Sequence, residues 1–286
     1  MIRTLPFLVL PLAAAEVARQ PVIPPPPAVQ TVDEARITGR VTPSPWFGAV
    51  WEDGLAEVAE YDLSQFRYGN LHPGTATLIT VRESMDPQRG VKSRDGAGVP
   101  VLKCHWVRSF QTGVYRYDQS SFQLVRRSDG IPLRWFITSH EWCGAAAKSW
   151  LNGGDLEVRS YFDGHGDLRQ PLALGADTVP ADSLWWWARA VAASGATTAA
   201  IRVVPSQIEA RTVDTTPVPA TVTVSAAGDR WRVEVRRADG SADALELDRA
   251  APHVVRRWRQ SDGSTMVLRT VRRFDYWAHH DPADRP

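Results

Sequence analysis

The chain has 286 residues, enough for one large domain or two small ones, and 43% hydrophobic residues, enough for a real core. A formal net charge of +1 supplies no strong field for a polyanion, which argues against nucleic acid as a partner. Lysine occurs only at Lys92, Lys103 and Lys148, an arginine bias that a GC-rich genome explains without function.

The first residues read as a secretory signal peptide over 1–18. Arg3 is a short positive region, Leu5 to Leu12 an apolar run too short to span a bilayer, and Ala13 to Ala15 or Ala18 a small-residue cleavage site. Pro6 and Pro11 break any helix that would bury this stretch. The expected location is therefore periplasmic or secreted. No cysteine stands at the cleavage point to carry a lipid anchor, and no later run suits a membrane span. Residues 19–45 form a proline-rich tether, stiffest at Pro24 to Pro27.

From Trp46 the signal is β. In Arg230 to Arg236, Trp231, Val233 and Val235 alternate with Arg230, Arg232, Glu234 and Arg236, as a half-buried strand requires. Asp-Gly recurs at 53–54, 95–96, 129–130, 163–164, 239–240 and 262–263, a strong hairpin signal. The spacing predicts twelve strands: 55–66, 74–84, 99–110, 113–125, 132–144, 155–163, 198–204, 218–225, 230–237, 243–249, 253–260 and 265–275. So many twisted strands must curl. The expected fold is mainly β, a large curved antiparallel sheet, half-barrel or barrel-like, in a single domain over 46–278 with a polar tail at 279–286. One short helix over 182–193 interrupts it, with Asp182 or Ser183 capping and a stripe of Leu184, Trp187, Ala188 and Val191. Trp185 and Trp186 fall beside that stripe, so the helix either plugs a concave sheet or lies flat with the extra indoles under loops.

The stretch Leu133 to Gly144 ends in a polar cluster and a thiol. If it stays extended, Glu141 and Cys143 share a face and His140 and Trp142 the other. A carboxylate beside a thiol raises its pKa, the wrong direction for a nucleophile. Cys143, Glu141 and Glu60 are nevertheless the candidate catalytic groups, the two carboxylates as a general acid/base pair if their strands adjoin. Cys104 and Cys143 could be bridged in an oxidising compartment. Asp163 to Asp167 reads as a glycine-rich turn, and no metal or cofactor is expected. The GxSxG, Walker, HExxH and dinucleotide signatures are absent.

The motifs Tyr61-x-Leu63-x-Gln65-x-Arg67-Tyr68-Gly69, Thr112-Gly113-Val114-Tyr115-x-Tyr117, Glu141-Trp142-Cys143-Gly144 and Ser160-Tyr161-Phe162, with Gly74 to Ile79 and Val101 to Lys103, resemble a family of uncharacterised exported bacterial proteins marked by YxLxQxRYG and QEWCG. Some members carry the label septum formation inhibitor Maf, whose nucleotide-pyrophosphatase motifs this chain lacks. The chain departs from the family pattern at His140, in place of Gln, and at Cys104, in place of an aliphatic residue, which puts the disulfide in doubt. The C-terminal strands resemble half-barrel envelope proteins of the lipoprotein-carrier type at the level of fold. With twelve Trp residues in an exported chain, the leading expectation is a non-enzymatic binding or carrier protein for an apolar, lipid-like ligand, held by Tyr61, Tyr68, Trp142, Trp185 and Trp186. The alternatives are an envelope hydrolase using Cys143 or Glu60 with Glu141, and a scaffold that docks to an envelope protein.

Overall fold

The computed structural model describes residues 44–175 and 177–284; the expected signal peptide and all but the last two residues of the tether lie outside them. The fold is mainly β: one large, curved, unclosed sheet with one short helix packed against it. In chain order the strands are β1 (Ala56–Arg67), β2 (Asn70–Asp86), β3 (Val91–Lys92), β4 (Val99–Thr112), β5 (Tyr115–Arg126), β6 (Pro132–Glu141), β7 (Gly144–Leu151), β8 (Leu156–Ser160), β9 (Leu168–Gln170) and β10 (Thr178–Pro180). Helix α1 (Leu184–Ser194) follows, then β11 (Thr198–Val204), β12 (Val218–Ala227), β13 (Arg230–Arg237), β14 (Ala242–Asp248), β15 (Val255–Arg259) and β16 (Thr265–Phe274).

The strand order is β10-β11-β12-β13-β14-β15-β16-β1-β2-β4-β5-β6-β7-β8-β9, with β3 beside β2. Chain neighbours pair almost throughout; the ladder between β1 and β16 joins the two halves, from Ala56 opposite Phe274 to Ser64 opposite Thr265. The edges are the three-residue strands β9 and β10, short enough to offer little to a foreign strand. The sheet departs from the antiparallel expectation at one ladder, where β10 runs parallel to β11. Parallel neighbours need a crossover, and α1 is that crossover.

Six Asp-Gly glycines adopt positive φ, between 73° and 105°, and three of the pairs turn β5 into β6, β13 into β14 and β15 into β16. The expected strand 132–144 is cut at Glu141: Trp142 and Cys143 form a two-residue turn and Gly144 opens β7, which the sequence reading missed. Missed too are β3, β9 and β10, all three residues or shorter.

Alternation along β1 shows how the core is built. Glu57, Ala59, Tyr61, Leu63 and Gln65 are buried on the concave face, while Glu60 and Asp62 face outward. Eight indoles are almost completely buried, Trp106, Trp135, Trp150 and Trp258 on strands and Trp46, Trp51, Trp185 and Trp186 on the helix and the N-terminal turns. At ~25 cal/mol per Å², each contributes on the order of 4–6 kcal/mol.

Helix α1 is buried on nearly every side. Of its two extra indoles, Trp186 is covered by the turn Pro45–Phe47: Trp46 stacks on it at 6.4 Å and Phe47 meets the same ring edge-on at 6.3 Å. Ser183 occupies the N-cap position without a side-chain cap bond; its Oγ instead accepts from Gln123 Nε2 on β5, and Trp186 Nε1 donates to Gln123 Oε1 at 2.7 Å. Asp182 does not cap either. Its carboxylate accepts from Ser206 Oγ and from the Gln207 amide. Gly195, at φ 75°, ends the helix in the left-handed conformation that glycine takes without strain.

Candidate functional site

The half-barrel has two ends of different chemistry. At one end lie the tips of the β1–β2, β4–β5 and β6–β7 hairpins and the end of β8, and the motif residues converge on them. Tyr68 sits in the β1–β2 turn at φ 50°, a conformation costly for a bulky side chain. Its hydroxyl lies 2.8 Å from that of Tyr117, and Tyr115 donates to it at 3.2 Å. Those hydrogen bonds hold the Tyr68 phenol below its usual pKa. The Arg67 guanidinium lies 4.8 Å from the Tyr68 ring centre and 5.3 Å from that of Tyr117. Trp142 and Tyr161 stand 74% and 82% exposed, with the Trp142 ring 6.5 Å from Tyr115. A side chain at Gly144 would strike the Tyr161 ring at 2.7 Å, so glycine lets that ring lie over the turn.

Behind this rim, on the concave side, is a polar cavity of about 280 Å³. Its wall includes Trp106, Arg108, Asp182, Asp243, Trp258 and Gln260. Arg108 is buried yet fully engaged, donating to Gln119 Oε1 at 2.8 Å, Gln65 Oε1 at 2.7 Å and Glu209 Oε1 at 2.7 Å. The second oxygen of Glu209 accepts from Arg67 at 2.8 Å, so one carboxylate ties the cavity to the tyrosine rim. The buried Lys148 ammonium donates to the carbonyls of Gln207, Glu209 and Thr212 and anchors the loop that closes this end. Burial pulls the Lys148 pKa down to about 8.

At the opposite end an apolar groove of about 290 Å³ runs between α1 and β11. Phe47, Trp186, Trp187, Ala190, Val191 and Ile201 line it. A smaller hollow next to it shares Gly130, Trp186 and Trp187.

The sequence-based ligand residues are scattered over these features. Trp186 borders the groove. Trp185 is buried in the core. Tyr61 is buried with its hydroxyl donating to the Val255 carbonyl at 2.8 Å. Tyr68 and Trp142 belong to the distant rim. The hydrolase candidates are not assembled. Glu60 lies on the outer face of β1, near Arg269 and Arg272, whereas Glu141 is buried on the inner side of β6. Cys143 is an exposed turn residue and no longer shares a strand face with Glu141.

Both cysteines are free, and the bridge between them is ruled out by position. Cys104 stands opposite Gln123, which stands opposite Trp135, eight residues before Cys143. That is roughly 25 Å along the strands, against the ~7 Å Cα limit for a disulfide. Burial pushes the Cys104 thiol well above its ordinary pKa.

Sequence reasoning missed Arg108, Gln119 and Lys148, whose only sign is a charged or amide residue at an inward strand position, and Glu209, which lies in the loop between β11 and β12. No group of three or more His, Cys, Asp or Glu is placed to hold a metal among the described residues. Comparison with family models, curated proteins and solved structures gives no match.

Proposed function

We propose that this chain is an exported, non-enzymatic binding or carrier protein of the cell envelope whose ligand is apolar and lipid-like. The observation that supports this reading is the groove between α1 and β11, bordered by Phe47, Trp186, Trp187 and several aliphatic side chains. Apolar concavities lined by aromatics are the usual form of such sites. The groove's volume of about 290 Å³ suits part of an acyl chain. The signal-like N-terminus and the resemblance to exported proteins support an envelope location.

The test is titration of the purified protein with cis-parinaric acid, a fluorescent fatty acid. Saturable binding is expected, with at least a tenfold loss in Ala199→Glu, which places a charge on the groove wall. Absence of saturable binding, or equal binding by that variant, would overturn the reading. In that event the docking alternative stands, because Tyr68, Trp142 and Tyr161 form exposed aromatic tips at the other end, as a protein-binding surface would.

A further inference from the structure

The polar cavity at the rim end carries a separate inference. Trp106 is 1% exposed, and its indole Nε1 has no hydrogen-bond partner among the described residues. Gln260 Nε2, on the same wall, is likewise buried and without a partner. Leaving a buried donor unmet costs about 1–3 kcal/mol, so two on one wall point to a partner that enters from the cavity.

The cations around the cavity are already paired within the protein, and its carboxylates all accept hydrogen bonds from it. Glu209 lies between Arg67 and Arg108, and Asp243 is ion-paired with Arg237 at 2.7 Å. Asp182 accepts from Ser206 and the Gln207 amide, and Asp262 accepts from the Ser264 amide and hydroxyl. An anionic ligand would find no free cation, and the two unmet groups on the wall are N–H donors, which a cation cannot answer. What remains is two neutral N–H donors, carboxylate oxygens with spare lone pairs, and the indoles of Trp106 and Trp258, 5.1 Å apart and inclined at 47°. Donors call for ligand oxygens, spare lone pairs for ligand hydroxyls, and indole rings for C–H surface.

We propose that this cavity binds a neutral polyhydroxylated ligand of one or two sugar rings. Its 280 Å³ falls just below the ~300–1,000 Å³ typical of ligand pockets, as suits a small ligand. The site is distinct from the apolar groove and stands whether or not that groove holds lipid.

The experiment is calorimetric and NMR titration of the purified chain with D-glucose, D-galactose and N-acetyl-D-glucosamine, using glucose 6-phosphate and glucosamine as charged controls. Saturable binding of at least one neutral sugar is expected, tighter than either charged control. Gln260→Leu and Trp106→Phe should each weaken it by about 3–10-fold, the loss of one neutral hydrogen bond. Ala199→Glu should leave it unchanged. Gln260 is only half-buried, so its variant keeps the test sound if the Trp106 variant fails to fold. The proposal is overturned if no neutral sugar saturates at tens of millimolar, if a charged control binds more tightly, or if Gln260→Leu binds as well as the parent.

Discussion

His105 shows how one strand residue can carry a pH response. Its ring packs edge-on against Phe122 at 5.6 Å, and burial, reinforced by the Lys103 charge, pulls its pKa down to about 4. The unfolded chain takes up a proton near pH 6.5, before the folded protein does. Stability present above that pH is therefore lost as pH falls from about 6.5 to about 4, by up to about 3 kcal/mol. Other carboxylates titrate in the same window, so the decisive comparison is with His105→Gln. Urea melts at pH 7 and pH 4.5 should show a smaller acid loss in the variant. Equal losses would mean that the ring is solvated. Nothing in the sequence marked this pH response, because its main cause is burial, which depends on tertiary packing such as that of Phe122, 17 positions away on the paired strand.

At the scale of elements, the sequence revealed strands better than their joints. Val233 and Val235 are buried and Arg232 and Arg236 exposed, as period-two alternation required. Strand β7 escaped because Gly144-Ala145-Ala146-Ala147 has weak strand propensity; its pairing with β6 decides its conformation. The candidate site was half legible. Its rim lies in recognisable motifs, but the cavity depends on residues drawn from β4, β14, β15 and two loops. The attachment of α1 was hidden as well, since nothing in its residue type distinguishes Glu57 from the outward-facing acids Glu60 and Asp62 on the same strand. In the structure it forms a fully buried bidentate pair with Arg189, at 2.8 and 3.0 Å. Arg189 also donates to the Pro252 carbonyl at 2.9 Å and covers the Trp46 ring at 5.1 Å. Removing one partner strands a buried charge, so Arg189→Met or Glu57→Leu should each cost ~3–5 kcal/mol, and the double variant should recover much of the loss. Denaturant midpoints of the four proteins measure this. Additive losses would show that the pair is solvated, contrary to its burial.

For the whole molecule, the question is whether β11–β16 can unfold by themselves, since the sheet's two halves meet in one ladder, β1 with β16. Three connections argue that they cannot. The β1–β16 ladder spans the full length of β1 up to Ser64. Helix α1 is clamped to β5 through Gln123 and to β1 through Glu57, while resting against the Pro252 turn of the C-terminal half. Lys148 of β7 and Arg108 of β4 both hold the loop after β11. Losing β11–β16 would expose the inward faces of β1, β2 and β4, with Trp106 and Tyr61 among them, a loss of several kcal/mol per aromatic. Unfolding should therefore be one transition, with coincident midpoints by far-ultraviolet circular dichroism and tryptophan fluorescence. Native-state hydrogen exchange should show β1, β2 and β4 opening only globally and β9 and β10 opening first. An intermediate that protects β1–β8 while β11–β16 exchange freely would show that the sheet is two units joined at the β1–β16 ladder.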